Sequence, residues 1–148
     1  MLSEKLRDVL SHEGVVTIIT TGDTLAVTNT WNSYLTVDDD TIYLPAAGMH
    51  SIQEALKTDN SLLLTVGSKD VAGTQGPGAG FHITGRGTFL EEGPEFDAKK
   101  AQFPWLTRVL QVDVIKAEQK IWFKASGANR FKTGTETDYF IKSQVWIL

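Results

Sequence analysis

Three stretches of the chain gather residue types able to grip a flat, polar, phosphorylated ring. Asn29, Thr30, Trp31, Asn32 and Ser33 set amides and hydroxyls on both sides of an indole. Gly48, Met49 and His50 follow an apolar run closed by Pro45 and lead into Ser51, Ile52 and Gln53. Residues 73–80 are glycine-rich, with Gly76, Pro77, Gly78 and Ala79 at their centre. An indole offers a broad face for stacking and one N–H donor. Glycine backbone approaches a ring edge where a Cβ would collide. Ser51, with Glu54 three residues on, fits a capping box and predicts a helix start there. Such a start offers unpaired N–H groups and a positive dipole end to a phosphate. The phosphate donors expected are therefore the Ser51 hydroxyl and the N–H groups of Ile52 and Gln53. Together these features suggest a flavin nucleotide.

Composition narrows the alternatives. The chain has 148 residues, 41% hydrophobic and 22% charged, as expected of a soluble globular domain with one real core. Its net charge is -4 with both signs scattered, so no basic stripe marks a nucleic-acid partner. Cysteine is absent, which removes disulfides and thiolate metal sites. His12, His50 and His82 form no H-x-x-x-H pair, so a protein-bound metal is not expected. No apolar run reaches membrane-spanning length and the N-terminus lacks a signal-peptide core. The expectation is a cytoplasmic protein with no membrane association.

The positioning elements follow from periodicity. Ser3 can cap a short helix through Ser11 that carries Leu2, Leu6, Val9 and Leu10 on one face. Val15 to Thr21 and Thr24 to Thr30 predict two strands, the second delivering Asn29 to Trp31 at its end. Leu35 to Val37 and Thr41 to Leu44 predict a hairpin across the acidic tip Asp38 to Asp40. Leu62 to Gly67 is nearly continuous apolar and predicts a strand buried on both faces. Phe81 to Leu90 is another strand, with Gly85 and Gly87 marking a bulge or a close backbone approach. A short helix spans Glu95 to Gln102, and Leu110, Val112 and Val114 alternate along a last strand toward Ile121. The class predicted is mainly β with short helices: about six antiparallel strands closing into a small barrel, because closure removes exposed edges.

Singly, each motif has a structural reading. A lone tryptophan is more often a core or interface residue, His50 a hydrogen-bonded structural histidine, and a glycine run a surface turn. The order of the motifs changes that balance. N-T-W-N-S-Y at 29–34, G-M-H at 48–50, V-A-G-x-x-G-P-G-x-G-F at 71–81, G-P-E-F at 93–96 and A-E-Q at 117–119 occur in one sequence. In this order the chain resembles the small FMN-binding proteins of anaerobic bacteria, within the split-barrel flavoprotein group that includes pyridoxamine 5'-phosphate oxidase. The resemblance covers roughly residues 1–122, the expected domain; residues 123–148 form an aromatic-rich extension expected to pack on that domain or on a partner subunit.

The resemblance implies non-covalent FMN in a homodimer, with the flavin at the subunit interface. It implies that Asn29, Thr30, Trp31, Asn32 and Ser33 line the flavin, with Trp31 beside the ring. Gly48, Met49 and His50 would pass near the ring and ribityl chain, and Gly76 to Ala79 would border the ring. Trp105 would stand further off, and Ile121 would press on the ring of the other subunit. The family's Lys-Thr after Gly-Met-His is replaced here by Ser51 and Ile52; Ser51 can replace the hydroxyl and Gln53, Lys57 or Lys69 can reach in, and if none does the phosphate is held by neutral donors and FMN binds more weakly. The expected function is electron transfer or simple flavin redox chemistry, with a redox partner protein or NAD(P)H as electron source. An oxidase of the pyridoxamine-phosphate type is the second reading, although the pocket residues are poor in the cations a second phosphate needs. A haem barrel ligated through His50 or His82 is the third.

Overall fold

The computed structural model describes residues 2–120. Ile121 and the extension 123–148 lie outside the described residues. Helix α1, Glu4–Ser11, begins as the sequence predicts: the Ser3 hydroxyl accepts from the Leu6 N–H at 3.2 Å. Strand β1 follows at Val15–Thr20, and Leu6 and Val9 carry the buried face of α1 onto β5, Ser61–Ala72. Strand β2, Val27–Trp31, returns antiparallel to β1 and registers Val15 against Trp31. The turn between them is closed by Thr20, whose hydroxyl donates to Thr24 O and accepts from the Ala26 N–H, each at 2.7 Å.

A hairpin follows, β3 at Thr36–Asp38 and β4 at Thr41–Ala46, with Asp39 in the left-handed region at φ 46° and its acidic tip exposed. Helix α2 covers His50–Leu56, β6 runs Pro77–Leu90, helix α3 covers Pro94–Gln102, and β7 runs Arg108–Lys120. Gly93 (φ 103°) and Pro94 set the entry to α3. No helix among the described residues is long and apolar enough to cross a membrane.

All strands among the described residues join one antiparallel sheet of seven in the order β2-β1-β5-β6-β7-β4-β3. The count is seven rather than about six, since both strands of the short hairpin join the sheet, β4 against β7 and β3 at the edge. The sequence predicted a meander, and β5-β6-β7 is one; β1 instead skips to β5, and β4 reaches forward to β7. No ladder joins the terminal strands β2 and β3, so the curled sheet stays split there. Inside it lie Val16, Ile18, Leu62, Leu64, Ile83, Leu110, Val112, Ile42 and Leu44, with Leu6, Val9 and Ile52 from the helices.

Three local expectations are corrected. On β5, Leu62, Leu64 and Val66 are buried while Leu63 and Thr65 are half-buried, because among the described residues the core covers only one face of the sheet. The glycine run is a loop only as far as Gly76, since β6 already includes Gly78, Ala79 and Gly80. The capping box at Ser51 does not form: Met49 is the N-cap, with φ 63° and no side-chain cap bond, so Ser51 lies inside the first turn.

The glycine expectation on β6 is met. Against β7 the register passes from Thr84–Lys116 to Gly85–Val114, leaving Ile115 as the extra, exposed residue of a bulge. A Cβ on Gly85 would sit 2.7 Å from the Asp113 carbonyl oxygen and 2.8 Å from Val112 Cγ1. On Gly80 it would meet nothing nearer than Val66 O at 3.6 Å. Gly85→Ala is therefore expected to cost ~1–3 kcal/mol of unfolding free energy in urea, as overpacking does. Gly80→Ala is the neutral control, and equal stabilities for the two variants would contradict the bulge assignment.

Candidate functional site

The stretch 29–34 is built around a locked turn. After Trp31 the chain enters a 3-10 turn, Asn32–Tyr34. Asn32 is 2% exposed. Its backbone N–H donates to Gly14 O at 2.9 Å, and its Nδ2 donates to Val9 O at 3.2 Å and His12 O at 2.8 Å. Its Oδ1 is buried without a partner among the described residues. Thr30 also points inward and is buried. Strand alternation then sends Asn29 and Trp31 outward, and Ser33 is exposed beyond the turn. The indole is 47% exposed on a backbone that cannot easily shift.

Glu13 joins this group, although nothing in the sequence marks it. Its Oε1 accepts the N–H of Gly14 at 3.0 Å and of Ser33 at 3.4 Å. The Ser33 hydroxyl, and then the Gly14 N–H, hold its carboxyl below the ordinary range. Ser33 is thus oriented by a carboxylate that is ionised at neutral pH.

The other flank of the turn is aromatic. Tyr34 stands 5.1 Å from Phe103 and 5.8 Å from Trp105, ring centre to ring centre, so Trp105 is brought to the end of the 29–34 stretch. Lys99 on α3 donates to Tyr34 O at 2.5 Å and lies 5.2 Å over the Phe103 ring. It is only 3% exposed, and burial pushes its ammonium down to about 8. A cleft of about 320 Å³ opens beside it, lined in part by Asp38, Tyr43 and Glu95. Burial, and then the Glu95 carboxylate, raise the Tyr43 phenol.

The segment after β4 is organised from below. Gly48, His50 and Ser51 are exposed, and a Cβ on Gly48 would meet nothing within 4 Å. Ile52 is 1% exposed and belongs to the core, so it offers only backbone. The Gln53 N–H donates to Met49 O at 2.9 Å and is spent within the helix, which removes one of the phosphate donors expected from the sequence. Arg108, paired with Ala46 at the start of β7, lies beneath and is 6% exposed. Its Nη2 donates to Ala47 O at 2.9 Å and to Gly48 O, its Nη1 to Gln53 Oε1, and its Nε to Thr107 Oγ1 at 3.4 Å. Its guanidinium rests 5.3 Å over the Phe89 ring. Sequence reading passed over Arg108, whose signal was a lone cation heading an apolar strand.

The glycine turn closes β5 onto β6. Gly73 N–H donates to Gly76 O at 2.8 Å, and Gly78 adopts φ 101°. Pro77 is exposed and Ala79 turns into the core. A hollow of about 250 Å³ lies between this turn and Gln119 and Lys120. Gly14 abuts Gly67 O, so the Trp31 platform and the glycine turn share one end of the sheet. Helix α2 packs on β1, β2 and β6, with Leu56 over Gly87 toward the other end. Lys69 is exposed on β5. Lys57 is held by Glu54 at 2.7 Å. His50 stands at the start of α2, whereas His82 is half-buried on β6 between Thr65 and Glu118.

No protein-family model matches the chain. It is similar to the FMN-binding protein of Nitratidesulfovibrio vulgaris (strain DSM 19637 / Miyazaki F), 45% identical over 123 residues, spanning 82% of this chain and 100% of that one. The fold is similar to that of an FMN-binding protein from Syntrophomonas wolfei subsp. wolfei, at 21% identity and TM-score 0.64 over 82% of this chain and 87% of that one. It is also similar to a Listeria innocua protein described as a candidate pyridoxamine 5'-phosphate oxidase, at 14% identity and TM-score 0.57 over 78% and 95%. At these identities the two structures speak for the fold alone.

Lys99 carries a pH dependence. Its ammonium lies at about 8 in the folded chain against an ordinary 10.5. Between those values the unfolded chain holds a proton that the native chain has released, so this group's contribution to stability grows as pH rises through the window. Relative to Lys99→Met, which does not titrate, the wild type is expected to gain unfolding free energy from pH 8 to 10.5. A pH-independent difference between the two would contradict the burial of this ammonium.

Proposed function

The chain belongs to the family of small FMN-binding proteins of split-barrel fold, and from this we propose that it binds FMN non-covalently and serves electron transfer or simple flavin redox chemistry. The observation that carries the reading is Trp31: a half-exposed indole on a turn whose neighbour is buried and hydrogen-bonded on three sides. A large aromatic left open on rigid backbone suits the stacking of a flat ring.

The residues fit an isoalloxazine and its phosphate tail. Trp31 covers one side of the ring, with Asn29 and Ser33 at its polar edge. Glu13 keeps Ser33 oriented by holding both its N–H and its hydroxyl. Gly76 and Gly78 both have positive φ; a Cβ would meet nothing within 4 Å at Gly76 and only Ser68 O at 3.8 Å and Lys69 Cα at 3.9 Å at Gly78, which leaves room for close approach of a ring. The exposed Gly48–Ser51 segment takes the phosphate end. When bound, FMN supplies the redox chemistry; the chain positions it and shields it from water. Thr30 and Asn32 support this site from within rather than facing outward.

A homodimer completes the proposal. Val15, Val27 and Trp31 are exposed on one face of the β1–β2 pair. An apolar strip beside the ring site is suited to a second copy of the chain, giving two equivalent flavin sites. Electrons come from a redox partner protein or NAD(P)H. Trp31→Ala is expected to weaken FMN by ~1–3 kcal/mol and to brighten the bound flavin, since a stacked indole quenches it. Unchanged affinity and emission would remove Trp31 from the ring. Light scattering should give a dimer; a monomer with tight FMN would refute the interface. Turnover on pyridoxamine 5'-phosphate would move the chain to the oxidase reading.

A further inference from the structure

We infer that Arg108 supplies the positive charge of the anion seat at Gly48–Gln53, and that the Gln53 side chain occupies the place of an anion oxygen when no phosphate is bound. The inference deepens the FMN reading and rests on it for the identity of the ligand.

Arg108 is almost completely buried, yet its acceptors among the described residues are the carbonyls of Ala47 and Gly48, the Gln53 amide oxygen and the Thr107 hydroxyl. All are neutral. They satisfy donors without cancelling charge, and an uncompensated buried cation is costly to keep. Guanidinium matches phosphate through planar, paired N–H donors. Phe89 holds the plane from behind. The backbone carbonyls of Ala47 and Gly48 bind Nη2 firmly, whereas Nη1 is capped by one side chain. Gln53 is half-exposed on an otherwise open segment, with Gly48 and Ser51 in solvent. Rotation of that single side chain therefore uncovers Nη1 to an arriving phosphomonoester. An amide is well matched to such a cap, since it accepts from Nη1 but leaves the charge free to act.

The test compares FMN and riboflavin affinity in wild type, Gln53→Glu, Gln53→Ala and Arg108→Met. Gln53→Glu keeps the acceptor and neutralises the cation, so FMN is expected to weaken about tenfold or more while riboflavin stays nearly constant. Arg108→Met is expected to show the same selective loss, and Gln53→Ala to bind FMN at least as tightly as wild type. In parallel, inorganic phosphate at matched ionic strength should raise the Tm of wild type but not of Gln53→Glu. If both flavins bind and the FMN-to-riboflavin ratio is the same in wild type, Gln53→Glu and Arg108→Met, the inference is overturned and the flavin reading stands. If neither flavin binds but phosphate stabilises wild type alone, the flavin reading fails and the anion seat stands. If neither flavin nor phosphate has an effect, both fall.

Discussion

The carboxamide of Asn32 is the contact on which the proposed ring site depends. The last carbonyls of a helix have no partner within it. Here the Nδ2 of Asn32 takes up Val9 O, at the end of α1, and His12 O just beyond it, while its backbone N–H takes up Gly14 O. One residue thereby joins the end of α1, the start of β1 and the turn after β2. Burial makes the arrangement demanding, since each group left unpaired there costs ~1–3 kcal/mol. Because Asn32 faces inward, Trp31 and Ser33 on either side of it are turned out. Strand alternation turns the indole outward, and the buried amide holds it there.

Buried cations recur on both sides of the site. Lys99 and Arg108 each reach carbonyl oxygens of the loops that frame it, Tyr34 O in one case and Ala47 O and Gly48 O in the other. The two respond differently to burial. Lysine sheds its proton more easily, which is why Lys99 falls to about 8. Arginine stays charged under the same treatment. The first is therefore suited to tying α3 to the aromatic cluster, and the second to keeping positive charge in a chain whose net charge is -4.

Much of the scaffold was legible because it is local. The Ser3 cap, the alternation of Val16, Ile18 and Thr20, the acidic hairpin tip and the bulge at Gly85 each follow from residues close in sequence. The strand order was not, since β1–β5 and β4–β7 pair residues far apart in the chain and periodicity says nothing of partners. The site divides the same way. That β2 delivers Asn29 and Trp31 at its end was legible, whereas Thr30 and Asn32, expected to line the ring, turn inward because distant segments cover them. Glu13 and Arg108 did not stand out, because each matters through contacts with a distant segment. Ser51 misled: the left-handed Met49 starts the helix earlier than the capping pattern implies, and the Gln53 N–H is consumed inside it.

Asn32→Ala separates presentation of the indole by the buried amide from a purely structural role of that residue. FMN affinity should be measured alongside urea unfolding, at a concentration and temperature where the variant remains folded by circular dichroism. The folded variant is expected to lose FMN affinity by about tenfold or more, with flavin emission rising as the indole loosens. A variant that loses stability but binds FMN with wild-type affinity and emission would contradict it.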